Sequence, residues 1–345
     1  MQFIRVDINC QRKWITAPLT EVLELSERAC LQALPTPDLC ANCPFRTNIE
    51  LFQPLAYMHF GNRGYHSRPT FGTGFTAPLD SQRGSCGLPR VLQRKELRKY
   101  YDALCRAWGP QHWWPAESRF EVVVGAYLTQ NTAWTSVERA LANLRDGGIL
   151  TLDGIRCVSL SKLQRLIRPS GYFRQKAARL KTFVRFLDKQ YGGSLDKLFS
   201  EPTDKLRSIL LDLNGIGPET ADSILLYAGN HPVFVVDAYT RRILSRHDIV
   251  GERTDYEEIR QLVQTALAPV AQDQESHPLQ LAPPLIPLRG AAHSPSAMST
   301  AHRTALVQVY NEMHGLIVGV GKNHCGKSKP KCDDCPLRNF LPQGK

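Results

Sequence analysis

The sequence lacks any apolar run close to the roughly 18 residues that a membrane-spanning helix needs. Its first residues, MQFIRVDINCQRKW, lack the apolar centre of a signal peptide. Both absences lead us to expect a soluble cytoplasmic protein. Acidic residues are also scarce, with 32 Asp and Glu against 43 Lys and Arg and a net charge of +11. This excess of positive charge favours a polyanionic partner such as nucleic acid or a membrane surface.

Strand patterns are few, and regular periodicity begins only at Val91. With 345 residues of which 42% are apolar, the chain is neither wholly disordered nor collagen-like. Before residue 91 we predict one helix, over Thr20–Ala33, in a poorly ordered N-terminal extension, 1–90. From 91 onward, apolar residues three or four positions apart predict an all-α core.

Three segments of this core carry further local signals. The run FEVVVGAYL (120–128) is apolar enough for a buried helix or a strand. Thr254 and Glu257 form a capping-box pattern before IRQLVQTAL. Residues 269–303 contain six prolines among Ser, His and Ala, which predicts a flexible surface insertion.

The most informative segment, LRSILLDLNGIGPETADSILLYAG (206–229), predicts two helices joined by a glycine turn. Pro218 suits the first position of the second helix, and Ile216 would point inward as an anchor. The free N–H groups of such a turn bind phosphate, as in a helix-hairpin-helix. An ordinary αα-hairpin is the alternative. The residues that we predict to contact the DNA backbone are Asn214, Gly215, Ile216, Gly217, Thr220 and Arg241.

Asp237 ends an apolar segment that follows this hairpin. A carboxylate in that position is expected to be desolvated, which is typical of a functional acid. It also precedes AYTRRILSR, so it is equally suited to cap that helix, and both roles can hold together.

The hairpin followed by VVDAYTRRI resembles the endonuclease III superfamily of DNA glycosylases, and the likeness covers most of 91–345. FEVVVGAYLTQNTAWTSVERAL and GYFRQKAARL are similar to its base-gap helix and to the helix after its minor-groove loop. The resemblance implies two helical domains, a barrel over 118–233 and a second domain from 91–117 and 234–345. The active site would lie in the cleft between them, and a monomer would act on double-stranded DNA that carries damaged bases.

The resemblance assigns Asp237 as the catalytic residue that promotes hydrolysis of the N-glycosidic bond. Members of the family that also cleave the strand have a lysine two residues after the second glycine of the hairpin. Here that residue is Glu219, and a carboxylate cannot form an imine. We therefore expect a monofunctional glycosylase without lyase activity. Glu219 itself either faces the cleft or is solvated on the first helical turn, and we favour the solvated position.

The combination of HWWPAE, LTQNTAW and GPETAD is most similar to the 3-methyladenine branch, which implies an alkylated purine as substrate. Flat apolar walls suit a flipped base, and aromatic faces attract a cationic one. The implied base pocket is Trp113, Trp114, Pro115 and Trp134, and the implied fillers of the duplex gap are Gln130 and Asn131. Packing is the alternative role of the tryptophans. The alternative functions are a glycosylase for oxidised or mismatched pyrimidines and a non-catalytic DNA-binding protein.

The tail carries Cys325, Cys332 and Cys335. Their C-x6-C-x2-C spacing is similar to the first three ligands of the family's [4Fe–4S] loop, but the fourth position is Leu341. Four hypotheses follow: a cluster with a non-cysteine fourth ligand, a cluster completed by another thiol such as Cys40 or Cys43, zinc with His324, and no metal. We favour the iron–sulfur cluster, and no nucleotide cofactor is expected.

Overall fold

The computed structural model describes residues 3–8, 11–16, 89–276 and 293–342. The chain divides into two compact units, Met1–Asp80 and Ser81–Lys345. In the first unit, β1 (Phe3–Ile8) and β2 (Gln11–Thr16) form an antiparallel pair. The sequence analysis did not predict these strands. The helix predicted over Thr20–Ala33 lies outside the described residues.

The described part of the second unit contains helices and no strand, which confirms the all-α prediction for the core. The first six helices are α1 (Arg90–Trp108), α2 (Arg119–Thr129), α3 (Trp134–Asp146), α4 (Leu152–Cys157), α5 (Leu160–Leu166) and α6 (Phe173–Tyr191). The remaining six are α7 (Leu195–Phe199), α8 (Thr203–Leu211), α9 (Pro218–Ser223), α10 (Ala238–Arg246), α11 (Tyr256–Ser276) and α12 (Ala305–Asn323). A π-helical turn, Ile224–Ala228, continues α9, and short 3-10 helices occupy Arg168–Ser170 and Arg338–Phe340.

The helices pack in two groups. Helices α1, α10, α11 and α12 contact one another, while α2 to α9 form a second set of contacts. The π-helical turn after α9 touches α12 and so joins the groups. The division into a barrel over 118–233 and a second domain from 91–117 and 234–345 stays a prediction.

Helix α2 settles the structure of the apolar run 120–128. Ser118 lies in an extended conformation, and its hydroxyl accepts a hydrogen bond from the Glu121 N–H at 3.1 Å, as in an N-cap. Residues 120–128 are buried, so this helix is apolar on every side and lies inside the core. The run is therefore a buried helix and not a strand.

The prediction of a flexible insertion over 269–303 is wrong at both ends. Helix α11 continues through Pro269 to Ser276, and Ala271 beyond the proline is buried in the core. Proline inside a helix costs about 3 kcal/mol, so packing of the surrounding apolar residues outweighs it here. At the other end, 293–303 packs on the body, with Met298 buried. Residues 277–292 lie outside the described residues.

Among the residues that are described, no helix combines the length and the apolar character needed to cross a membrane.

Candidate active site

The glycine turn between α8 and α9 has an anchored side and an open side. Ile216 is buried, as predicted, and fixes the turn to the core. Gly215 has φ 85°, and a Cβ there would lie 2.1 Å from Arg179 Nε, so only glycine fits. Gly217 is exposed, with nothing within 4 Å of the place where a Cβ would stand. The backbone is therefore open to a ligand at Gly217.

The side chains of two residues predicted to contact DNA make hydrogen bonds to other protein groups instead. The Thr220 side chain is buried, and its hydroxyl accepts a hydrogen bond from Gln130 Nε2 at 3.0 Å. The Arg241 guanidinium donates to the Thr254 carbonyl oxygen. Asn214 is exposed beside the open turn. A DNA contact of Thr220 is therefore left to its main-chain N–H, on the first turn of α9.

The two residues predicted to fill a duplex gap differ in the structure. Gln130 Nε2 donates to the Gly215 carbonyl at 2.9 Å, and its Oε1 accepts from Arg179 Nη1 at 2.8 Å. In this conformation the hairpin engages the Gln130 side chain, and its gap-filling role stays a prediction. Asn131 is exposed and has φ 51°, so it is the more accessible of the two.

Tyr172 is a candidate DNA contact that the sequence analysis missed. Its side chain is 67% exposed at the start of α6, and its φ is 42°. The buried Lys176 ammonium donates to the Ser170 carbonyl at 2.7 Å and to the Thr132 hydroxyl at 2.7 Å, which ties the turn bearing Tyr172 to the turn bearing Asn131. An exposed aromatic directly after a glycine in GYFRQKAARL was the available signal.

Asp237 is the N-cap of α10. Its Oδ1 accepts from the Thr240 N–H at 2.7 Å and from the Thr240 hydroxyl at 2.9 Å. Its Oδ2 lies 3.6 Å from His314 Nε2, and the side chain is 14% exposed. The capping role is thus confirmed, and it leaves the second carboxylate oxygen for another task.

A buried network holds the extended segment that leads to Asp237. The Val236 N–H donates to the Tyr256 hydroxyl at 3.3 Å, and that hydroxyl donates to Asp222 Oδ2 at 2.8 Å. Arg207 Nε donates to Asp222 Oδ1 at 2.6 Å. Because Asp222 is fully buried with its charge paired, the chain is fixed just before the Asp237 cap.

Glu219 lies within range of the negative charge of Asp237. The residue is exposed to solvent. Partial burial and the negative charge of Asp237 raise the pKa of Glu219 to about 7. Glu219 is thus exposed on the first turn of α9, as the favoured expectation has it, and it also lies near enough to Asp237 for the two charges to interact. The hairpin places a carboxyl group beside Asp237 where an amine would be needed for imine formation.

The three predicted pocket tryptophans come together as one cluster. The centroids of Trp114 and Trp134 lie 5.1 Å apart, and those of Trp113 and Trp114 lie 5.7 Å apart. Trp113 and Trp114 are each 5% exposed, so the cluster is closed in this conformation. His293 lies against both Trp113 and Trp134, at 5.6 Å and 6.2 Å. Pro115 follows the pair and is half-buried.

Two helices make room for the tryptophans with glycine. A Cβ at Gly315 of α12 would lie 2.9 Å from Trp113 Cβ, and one at Gly125 of α2 would lie 3.1 Å from the Trp114 ring. The Gln111 N–H donates to the buried Glu312 carboxylate at 2.6 Å, which holds the start of the segment on α12. Close approach and this hydrogen bond together fix the position of the cluster.

We expect the stability of the protein to depend on pH through Glu312. Burial raises the pKa of Glu312 from 4.5 to about 7 in the fold. An acid with a raised folded pKa ionises first in the unfolded chain, so its contribution to stability falls as pH rises from about 4.5 to about 7. Urea unfolding across that range measures this fall, and we expect Glu312→Gln to reduce it. Glu117→Gln, at an exposed position, is the matched control. An unchanged slope in Glu312→Gln contradicts the assignment.

The cysteine loop is held by α10, the helix that Asp237 caps. Arg246 Nη1 donates to Cys325 Sγ at 3.2 Å and Arg242 Nε donates to the Cys325 carbonyl at 2.8 Å. The predicted metal ligands Cys325, Cys332 and Cys335 line one cavity of about 240 Å³, together with His247, His324 and Leu341. Within the described residues, no group of three or more His, Cys, Asp or Glu side chains is close enough to hold a single metal ion. Cys40 and Cys43 lie outside the described part of the chain.

Comparison with known proteins gives the class of this protein, a DNA glycosylase of base excision repair. Residues 124–269 match the HhH-GPD superfamily of base excision DNA repair proteins. A protein of Methanocaldococcus jannaschii named as a DNA repair glycosylase is 40% identical over 248 residues, which are 71% of this chain and 94% of that protein. The chain belongs to the HhH-GPD superfamily.

Solved structures agree with this assignment. The H. pylori 3-methyladenine DNA glycosylase bound to 1,N6-ethenoadenine is 31% identical with a TM-score of 0.52, over 68% of this chain and 98% of that one. A trapped endonuclease III–DNA covalent intermediate has a TM-score of 0.53 at 19% identity, over 73% of this chain and 96% of that one. The second comparison concerns the fold alone.

Proposed function

We propose that this protein is a monofunctional DNA glycosylase that removes alkylated purines such as 3-methyladenine from duplex DNA. The observation that carries the proposal is the position of Asp237 near the tryptophan cluster: His314 Nε2 lies 3.6 Å from Asp237 Oδ2, and the His314 ring centroid lies 6.1 Å from that of Trp113. Glu219 lacks the amine that strand cleavage needs. The 31% identity to a 3-methyladenine glycosylase, over almost the whole of that chain, supports the same substrate class.

Two parts of the structure would bind DNA: the open turn at Gly217, and the turns bearing Asn131 and Tyr172. The main-chain N–H groups around Gly217 would bind a backbone phosphate. Asn131 and Tyr172, on turns tied together by Lys176, would enter the duplex where the base leaves it. Gln130 would either assist there or keep the hairpin in place.

The base would bind at the tryptophan cluster. A purine methylated at N3 or N7 carries positive charge on the nucleotide, and aromatic faces attract cations. In the present conformation the His293 ring lies against Trp113 and Trp134, so a base that stacks on both must take its position. Pro115 would complete the apolar wall.

Hydrolysis needs little proton transfer to the leaving group, because a cationic purine departs as a neutral base. The bond between the base and C1′ breaks, and positive charge develops on the sugar. The Asp237 carboxylate stabilises that charge, and water adds to C1′ and gives up a proton. The product is an abasic site. Glu219, with its pKa raised to about 7, lies beside this reaction without an amine that could attack the sugar.

A base-release assay tests the proposal. We would incubate the full chain with methylated duplex DNA and with an oligonucleotide carrying 1,N6-ethenoadenine. Parallel reactions would contain oxidised or mismatched pyrimidines, each with and without alkali. We expect free alkylated purine and strand breaks only after alkali. Pyrimidine release would overturn the substrate class, and DNA binding without release would favour the non-catalytic alternative.

We expect Trp113→Ala to reduce lesion selectivity more than binding to undamaged DNA. Stacking of a base on an aromatic ring contributes about 1–3 kcal/mol, which is about 5- to 150-fold in a rate or binding ratio. The measurement is the single-turnover rate on the lesion relative to the Kd for undamaged duplex. Trp108→Ala removes a buried tryptophan that stacks on His324 outside the cluster and serves as the control. If Trp113→Ala and Trp108→Ala show the same lesion selectivity, Trp113 has a packing role only.

We also propose that Cys325, Cys332 and Cys335 hold an iron–sulfur cluster. The three thiols line one cavity of about 240 Å³, and their spacing in the sequence is similar to that of the family's cluster loop. Leu341, at the position of the family's fourth cysteine, lines the same cavity, and the described residues that line it include no fourth cysteine, so the fourth ligand stays unassigned. The role would be structural, ordering the exposed lysines around the loop, Lys327, Lys329 and Lys331.

Metal and sulfide analysis after anaerobic purification tests the cluster. We expect iron with acid-labile sulfide in wild-type protein and loss of both in Cys332→Ser. Exposed Cys157→Ser is the matched control. Zinc alone would favour a site with His324, and absence of any metal would overturn the proposal.

A further inference from the structure

A buried histidine connects the catalytic aspartate to a buried tyrosine. The Tyr227 hydroxyl lies 2.5 Å from His314 Nδ1, and His314 Nε2 lies 3.6 Å from Asp237 Oδ2. Tyr227 is fully buried, and His314 is almost so. His314 Nε2 is a buried polar atom with no hydrogen-bond partner among the described residues. Buried polar atoms without a partner are rare and call for an explanation.

The contacts favour one tautomer of His314. Burial raises the pKa of Tyr227 far above its usual range, so its hydroxyl keeps a proton to donate to Nδ1. Burial lowers the pKa of His314, which favours the neutral ring. A neutral ring that accepts at Nδ1 carries its proton at Nε2. That N–H points at Asp237 Oδ2, whereas the other tautomer would place a lone pair against the carboxylate.

We propose that His314 is a positioning residue for Asp237, oriented in turn by Tyr227. The Thr240 cap fixes Oδ1 of the aspartate, and a hydrogen bond from His314 would fix Oδ2, which lies 3.6 Å from Nε2. With both oxygens held, the carboxylate cannot rotate about its last bond while charge develops on the sugar. The present 3.6 Å separation is long, and such contacts shorten when a substrate fills the site. This inference rests on the proposed function of Asp237.

The surroundings of the ring agree with a role in the site. The centroid of the Trp113 ring lies 6.1 Å from that of His314, and Tyr227 packs against Trp114 at 5.1 Å. The Tyr227–His314 pair therefore lies between the predicted base pocket and the catalytic carboxylate. A base that displaces Trp113 and Trp114 on binding would therefore also change the packing around Tyr227 and His314.

Histidine tautomers are visible by 15N NMR without any turnover. In the full wild-type chain with labelled histidine, we expect His314 to be neutral and protonated at Nε2. Asp237→Asn should shift the Nε2 resonance, and Tyr227→Phe should weaken the preference for this tautomer. A ring protonated at Nδ1, or one that does not respond to Asp237→Asn, overturns the inference even if the variants lose activity.

Kinetics give the second test. We expect His314→Gln and Tyr227→Phe to lower the single-turnover rate of ethenoadenine release by about 10- to 100-fold, with the Kd for DNA containing an abasic analogue unchanged. His231→Gln changes a buried histidine that contacts Thr203 instead, and it should keep the wild-type rate. Adding His314→Gln to Asp237→Asn should cause no further loss.

The outcomes separate this inference from the proposed function. If wild-type protein releases no base, or if Asp237→Asn keeps full activity, the function assigned to the site fails. If Asp237→Asn is inactive while His314→Gln and Tyr227→Phe keep the wild-type rate, only the positioning role fails.

Discussion

Asp237→Asn should abolish base release while DNA binding stays nearly intact. The amide keeps the shape of the carboxylate and can still accept the Thr240 N–H at the cap, so the fold is expected to survive. It loses the negative charge that would face the developing positive charge of the sugar. Removing one such electrostatic contact costs about 10²–10³ in rate. Single-turnover release from alkylated duplex and a Kd measured on the same duplex give the two quantities.

The exposed Asp204→Asn on α8 is the control, because it changes an equivalent charge away from the cleft. It should match wild type in both measurements. A parallel loss of binding and release in Asp237→Asn would contradict a role in the chemical step. Thermal unfolding of both variants shows whether any loss reflects the missing cap instead.

Glu219→Lys should gain strand-cleaving activity that the wild-type protein lacks. Glu219 and Asp237 already interact across the cleft, so a lysine at 219 would bring an amine close to the reacting sugar. The amine would displace the base at C1′ and form an imine with the opened sugar. Sodium borohydride reduces that imine to a stable bond. We expect a trapped protein–DNA complex with Glu219→Lys and none with wild type.

Glu219→Gln is the matched control, since it removes the charge without adding an amine. It should give base release without trapping. A trapped complex with wild-type protein would overturn the monofunctional assignment. The first amine to test would then be Lys322, whose Nζ lies 5.7 Å from the centroid of the Trp113 ring. Loss of trapping in Lys322→Ala would identify it as the nucleophile.

Local sequence signals predicted those parts of the molecule where neighbours in the chain decide the structure. The glycine turn, the inward Ile216 and the cap at Asp237 depend on residues within a few positions, and all three are present. The capping box predicted at Thr254 and Glu257 is wrong by one residue. Asp255 accepts from the Glu258 N–H at 2.8 Å instead, because α11 starts at Tyr256.

Tertiary packing determined the secondary structure where the local sequence allowed two structures or favoured a different one. The apolar run 120–128 suited a helix or a strand equally, and its Ser118 cap with burial on all sides makes it a helix. Pro269 favoured a break, yet α11 continues because the residues around the proline are buried. In both cases the free energy of burying apolar surface exceeds the local preference.

The sequence by itself determined the helical class, the hairpin, the cap at Asp237 that we propose to be catalytic, and the carboxylate at Glu219 in place of an amine. These depend on residue type and short spacing. Only the tertiary structure decided that the charges of Glu219 and Asp237 interact, that Gln130 is engaged by the hairpin, and that His314 lies against Asp237. His314 is 77 positions from Asp237 in the chain, and it reaches the carboxylate only because α12 packs on α10. No local pattern encodes such a contact, since it arises from how distant helices bury one another.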